Sequence, residues 1–298
     1  MFNSFINKFR ASDIVAKYIY VNVAVYVFIV LTGVFSVLLN CADVADSVSG
    51  FFELPASLPR LLCRPWTLLT YMFLHKGVMH ILWNMVALYF FGRLFLNFYS
   101  VRHFVGMYIL GGMTGGAVFV LSYNLFPYFS PYIGGACLVG ASAAVLAIVV
   151  ATAVRSPEYR VRLLLFGSVK LSTFALVTVA VSVLMLSGEN AGGNFAHIGG
   201  AFAGWLMAHM LAKGVDLTVV VNKPIDWVAT IFGKKWFRKK KKTKFRYTAG
   251  GRAADYEYNA RKRSTEAEVD KILEKIKKGG YASLTDEEKR RLFDASSK

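Results

Sequence analysis

The sequence predicts an all-α integral membrane protein: a bundle of six transmembrane helices followed by a polar, basic tail. Three observations lead there. Hydrophobic residues make up 55% of the 298, and the mean hydropathy is +0.45, too apolar for an ordinary soluble domain. The apolar residues are concentrated before about residue 212, whereas most of the net charge of +17 lies after it. Lys and Arg gather at alternate connections between the apolar runs, as they do in proteins that thread a membrane back and forth.

The N-terminal stretch MFNSFINKFRASDIVAKYIYVNVAVYVF lacks the form of a signal peptide. Its apolar run is too long and no small-residue cleavage site follows, so it reads as a retained first span after a polar segment, 1–17. A helix needs roughly 20 apolar residues to cross the hydrocarbon core. Six segments qualify as candidates, at about 18–40, 77–97, 102–122, 140–154, 168–187 and 194–213. Lys8, Arg10 and Lys17 precede the first; Arg102 lies between the second and third; Arg155, Arg160 and Arg162 lie between the fourth and fifth. The opposite loops hold only Arg60, Arg64 and Lys76, and residues 123–139 and 188–193 have no Lys or Arg. Positive-inside logic then puts both termini in the cytoplasm, consistent with an even number of spans. Gly111, Gly112, Gly115 and Gly116 make the third span a close-packing surface, and Lys170 is expected to snorkel from the start of the fifth.

Span four is short. Fifteen residues from Gly140 rise roughly 22 Å, less than the hydrocarbon thickness of about 30 Å. A short helix ending at the cytoplasmic side starts below the outer surface. Irregular backbone at that depth, here SPYIGGACLVGAS, must be buried in protein or line a wet cavity. Ser142 then stands near a helix N-terminus on the floor of a cavity.

Polar side chains inside apolar spans are costly and mark functional sites. Ser142 sits in Gly140-Ala141-Ser142-Ala143-Ala144; Ala144 and the lack of a preceding strand separate it from the soluble G-x-S-x-G elbow. By itself the string also reads as a small-residue packing surface. His197 sits in NFAHIGGAFAG, and spacings of three and seven place His197, Gly200 and Gly204 on one face. Gly200-xxx-Gly204 is a close-approach motif. If its neighbour is the Ala-rich span four, His197 meets Ser142. His80 and Asn84, at i and i+4, share a face of span two. Aimed at one point, they could form an oxyanion hole with the Ser142 backbone N–H, or simply bond each other or a neighbouring helix. His75 lies near the outer interface, where a structural role is expected. The sequence contains neither an HExxH motif nor a metal-type Cys/His cluster, so no metal or cofactor is expected. Cys41, Cys63 and Cys137 describe no disulfide framework; a Cys41–Cys63 bridge requires an oxidising compartment, and the plainer reading is three small apolar side chains.

These motifs resemble those of the rhomboid family, the intramembrane serine proteases. The resemblance rests on His80-x-x-x-Asn84 in the second span, Gly140-x-Ser142 opening the fourth and Ala196-His197-x-x-Gly200-x-x-x-Gly204 along the sixth, in that order. It covers about residues 15–213. It implies a six-span rhomboid-like bundle over 18–213 in a bacterial inner membrane, with a Ser142–His197 dyad and no aspartate. Ser142 would attack a peptide carbonyl and His197 would act as base, then acid. By similarity, His80, Asn84 and the Ser142 amide would stabilise the oxyanion. The implied substrates are single-pass transmembrane proteins cut near the outer face, entering between spans two and five. Ser187–Asn194 looks like the mobile cap of the family, and FFELPASLPRLLCRPW like its first loop. The chain departs from the family pattern at Ala143 after the serine, where Gly is usual. Leu146 stands where an aromatic often stacks on the histidine, and Trp66-Thr67 replaces Trp-Arg.

Residues 214–264 read as a basic juxtamembrane segment and linker. In GKKWFRKKKKTKFRY, Trp236, Phe237, Phe245 and Tyr247 interleave with a run from Arg238 to Lys242. Basic residues beside a span attract anionic lipid at roughly 1 kcal/mol each; no nucleic-acid-binding fold accompanies them, and no nucleic acid is expected. Residues 265–298 read as a small helical hairpin. Val269, Ile272, Leu273 and Ile276 share one face, Gly279 and Gly280 end that helix, and a Thr285–Glu288 capping box opens the next. Two rivals remain at this stage. A non-proteolytic rhomboid relative would bind membrane clients, although such relatives typically lack the serine or the histidine. A small transporter would show internal repeats and intramembrane charges, and the sequence has no such repeat and no acidic residue within a span.

Overall fold

Asp13 starts the first long helix. Its carboxylate accepts the Ala16 N–H at 2.7 Å, satisfying a donor that has no partner within the helix, and α1 runs Ile14–Leu38. The computed structural model describes residues 7, 9–163, 167–231, 272, 274–277, 280 and 283–296. It divides into two units, Met1–Trp236 and Phe237–Lys298.

In the first unit a folded loop follows α1: α2 (Ala42–Phe52), β1 (Leu54–Pro55), α3 (Leu58–Cys63), α4 (Thr67–Thr70) and a 3-10 turn at Tyr71–Phe73. Then come α5 (Val78–Leu96) and α6 (Val101–Leu125). Ser100 and His103 cap α6 reciprocally. A 3-10 segment, Pro127–Tyr132, leads to β2 (Cys137–Leu138) and α7 (Ser142–Arg155). Strands β3 (Arg160–Leu163) and β4 (Gly167–Lys170) form a hairpin. It feeds α8 (Leu171–Leu184), α9 (Ala191–Ala212) and α10 (Val219–Ile231).

Among the described residues α1, α5, α6 and α9 are long and apolar enough to cross a membrane, and α7 and α8 are shorter apolar helices. This is an all-α, multi-pass membrane bundle. Helix α6 is its centre, with 61% of its apolar window buried, against 11% for α1. Phe28 and Phe35 of α1 are exposed, as suits a helix facing lipid chains. Glycines bring the central helices together. A Cβ on Gly111 of α6 would lie 2.3 Å from the Ala147 Cβ, and one on Gly115 would lie 2.6 Å from the Ala143 Cβ. On α9, a Cβ at Gly200 would lie 2.1 Å from the Ala143 carbonyl oxygen, and one at Gly204 2.2 Å from that of Ala147. Real Cβ atoms do not approach so closely, so α9 meets α7 backbone to backbone and α6 packs its glycines against the alanine methyls of α7.

The ends of several elements differ from the sequence reading. The fifth apolar helix begins at Leu171, not 168, because Val169 and Lys170 pair with Val161 and Arg160 in the hairpin. Lys170 pairs with the exposed Glu158 at 2.8 Å, and that contact holds the Glu158 carboxyl below its ordinary range. The sixth begins at Ala191, so the segment Ser187–Asn194 is partly helical. Asn194 is in that helix, and its amide nitrogen donates to the Met185 carbonyl at 2.8 Å. The juxtamembrane segment also opens with a helix, α10. It docks on α6 through Asn222, which donates to the Arg102 carbonyl at 3.1 Å, and through an Arg102–Asp226 ion pair.

In the second unit the Thr285 and Glu288 side chains cap each other's backbone N–H at 3.3 and 2.7 Å, opening α11 (Asp286–Ser296). Gly280, at φ +73°, donates to the Ile276 carbonyl, the usual left-handed end of a helix. The basic run from Arg238 to Lys242, the linker at 248–264, and Val269 and Leu273 lie outside the described residues.

Candidate active site

Ser142 is the first residue of α7. As such, its backbone N–H has no acceptor within its own helix. The chain reaches it through an extended segment held on both sides. Leu54 and Pro55 pair antiparallel with Leu138 and Cys137, the Ala56 N–H donates to the Ala136 carbonyl at 2.9 Å, and the Gly140 N–H donates to the Tyr71 carbonyl at 3.0 Å. Irregular backbone inside the bundle thus finds its hydrogen bonds in the first loop. Gly140 has φ +123°, and a Cβ there would lie 2.8 Å from His80 Nε2. Only glycine admits both the turn into α7 and the histidine ring beside it.

The Ser142 Oγ lies 2.8 Å from His197 Nε2, across 55 residues of sequence. Both side chains are half-buried. The other ring nitrogen, Nδ1, lies 3.2 Å from the Ser182 Oγ on α8. His80 reaches the same place from α5, its ring against Gly140. Asn84 is buried one turn along α5, and its amide nitrogen donates to the His80 carbonyl at 2.8 Å. Ser142, His197 and His80 therefore converge, while Asn84 bonds to its own helix. His75 is buried, not set at an open interface, and packs edge-on against the His80 ring at 5.0 Å. Among the described residues no group of three or more His, Cys, Asp or Glu side chains could hold a metal ion. Cys41, Cys63 and Cys137 are free thiols.

A rhomboid domain profile matches residues 62–214, just over half of the chain. The chain belongs to the rhomboid family. Over 157 residues it is 26% identical to the RHOMBOID-like protein 12, mitochondrial, of Arabidopsis thaliana, a match covering 50% of this chain and 47% of the relative. The chain spans about half the length of that curated relative. Residues 253–298 match a separate family of unknown function, DUF6576.

Within this rhomboid fold the first loop is tied down by several side chains. Arg60 donates to the Gly134 carbonyl at 2.7 Å, Arg64 to that of Gly50 at 3.0 Å, and Trp66 Nε1 to that of Phe51 at 2.9 Å. Thr67, which stands where rhomboids often carry arginine, donates to the Arg64 carbonyl at 2.7 Å. Leu146 is buried one turn beyond Ser142 and offers the histidine no hydrogen bond. Ser182 went unnoticed in the sequence. Its one signal is a hydroxyl at i+4 from Thr178 in the apolar run LVTVAVSVL, and such residues usually bond back to their own helix.

Proposed function

We propose that this rhomboid is an intramembrane serine protease that cuts single-pass transmembrane proteins near the outer membrane face. The observation that carries it is the 2.8 Å separation of Ser142 Oγ and His197 Nε2 on two different helices. That separation is within reach for direct proton transfer. As the reaction proceeds, Oγ attacks the scissile carbonyl carbon and its proton passes to Nε2. The tetrahedral oxyanion takes hydrogen bonds from the Ser142 N–H at the start of α7 and from His80. Asn84 contributes by turning its amide from the His80 carbonyl. The imidazolium then protonates the leaving amine, and a water deacylates the enzyme by the same route. A preorganised donor in such a site is worth about 10²–10³ in rate. No metal enters the scheme.

Single-pass substrates reach Ser142 laterally between α5 and α8, where Phe91 and Phe174 stack at 5.1 Å. The protein lies in a bacterial inner membrane with both termini cytoplasmic, and the basic run after α10 rests on anionic lipid. Supporting this orientation, the ion pairs Asp13–Arg93 and Arg102–Asp226 join helix ends at one face.

Labelling with a fluorophosphonate probe tests the chemistry. Wild type is expected to label covalently and Ser142→Ala to lose the label. Equal labelling of the two sinks the dyad and leaves client binding without cleavage as the better account.

A further inference from the structure

A neutral imidazole has one N–H and one bare nitrogen, and catalysis by His197 requires the bare one to face Ser142. What fixes that choice is not obvious in this chain. Among the described residues no carboxylate hydrogen-bonds His197, whose ring nitrogens face Ser142 and Ser182, and Leu146 cannot supply an acceptor. The hydroxyl of Ser182 can. Its Oγ lies 3.2 Å from His197 Nδ1 and also 3.0 Å from the Thr178 carbonyl oxygen on its own helix. A carbonyl oxygen only accepts, so the Ser182 proton goes to Thr178 and leaves the Oγ lone pairs for the ring. The ring must then donate from Nδ1, and Nε2 is left bare toward the Ser142 hydroxyl. Ser182 is 3% exposed, so water does not readily replace it.

We propose that Ser182 is a positioning residue: its hydroxyl, locked by the Thr178 carbonyl, holds His197 in the Nδ1-protonated tautomer and orients the ring toward Ser142. This rests on the dyad reading above. During acylation the Ser142 proton moves to Nε2, and the imidazolium keeps donating through Nδ1 to Ser182. Ser182 retains its own proton throughout, so its role is to accept one hydrogen bond that strengthens as the ring becomes charged. It does from a neutral side chain, more weakly, what a buried carboxylate does in a serine–histidine–aspartate triad.

The test uses the full-length protein in detergent, with fluorophosphonate inactivation resolved into kinact and KI. Ser182→Ala is expected to lower kinact about tenfold, with KI unchanged, as loss of one hydrogen bond to a developing cation implies. In ¹⁵N spectra of histidine-labelled protein, His197 should read as Nδ1-protonated in wild type and as a tautomer mixture in Ser182→Ala. An unchanged kinact overturns the proposal. So does a lower kinact with the wild-type tautomer, because that outcome makes Ser182 a packing residue. The same spectra of Ser142→Ala keep the two readings apart. Labelling that survives Ser142→Ala defeats the dyad, whereas the tautomer reports on Ser182 in either case.

Discussion

At the scale of the residue, Gly140 carries a double constraint beside Ser142. Two independent demands meet there: a left-handed φ of +123° and a gap that leaves room for His80 Nε2, 2.8 Å from where a Cβ would sit. Backbone strain of this kind costs about 1–3 kcal/mol. The steric demand pushes either the His80 ring or the start of α7 away from its partner. Displacement of about 1 Å costs on the order of 10² in rate. Gly140→Ala is therefore expected to lower the fluorophosphonate labelling rate about a hundredfold, while Gly135→Ala, with open space around it, leaves it within about twofold. Near-equal rates for the two variants would refute this account of the turn. The glycine before the serine was legible as part of a motif, but its reason was not, because the reason is a histidine 60 positions earlier in the chain. Ser182 was less legible still. A hydroxyl in an apolar helix carries no sign of which neighbour it will face.

At the scale of the element, small residues decide which helices touch. The spacing of His197, Gly200 and Gly204 showed one close-approach face on α9 and offered the Ala-rich span four as its neighbour only conditionally; in the fold that face meets the Ala143 and Ala147 carbonyls of α7. Because the obstacle is backbone, α7 cannot yield by changing a rotamer. Gly204→Ala should force the two helices apart at a cost of about 1–3 kcal/mol, typical of an overpacked interior. It should lower the thermal unfolding midpoint in detergent; Gly33→Ala, on the open surface of α1, should not. Equal midpoints would show that the contact contributes nothing to stability. The six apolar helices were readable from hydropathy, and their ends were not. Val169 is as apolar in a hairpin as in a span, so the run into α8 looked longer than it is. Helix α10 escaped notice because Asn222, Lys223, Pro224 and Asp226 interrupt its apolar residues. Two of those interruptions dock it, since Asn222 and Asp226 both bind Arg102.

At the scale of the whole molecule, ion pairs join helix ends at one face of the bundle. The start of α1 is tied to the end of α5 by Asp13 and Arg93 at 2.9 Å. The Ala16 N–H, ahead of Arg93, holds the Asp13 carboxyl below its ordinary range, so the Asp13 carboxylate keeps its charge in mildly acidic solution. The start of α6 is tied to the segment after α9 by the pairs Arg102–Asp226 and His103–Asp216. The opposite end holds the first loop, the β1–β2 pair and the entry to Ser142. With 14 residues, α7 rises about 21 Å, less than the hydrocarbon thickness of about 30 Å. With Arg155 held at one membrane face, a helix that short would leave Ser142 below the opposite surface. If the charged face is cytoplasmic, the first loop is outside, and its free, exposed Cys63 reports it. In a Cys41→Ser, Cys137→Ser background, a membrane-impermeant maleimide should modify Cys63 from the outside of intact spheroplasts. A cysteine placed at Lys213, exposed at the end of α9, should react only after the membrane is opened. The reverse pattern would turn the molecule over and move the proposed cleavage to the cytoplasmic side. Reaction of both sites from outside would break the alternation of spans on which the orientation depends.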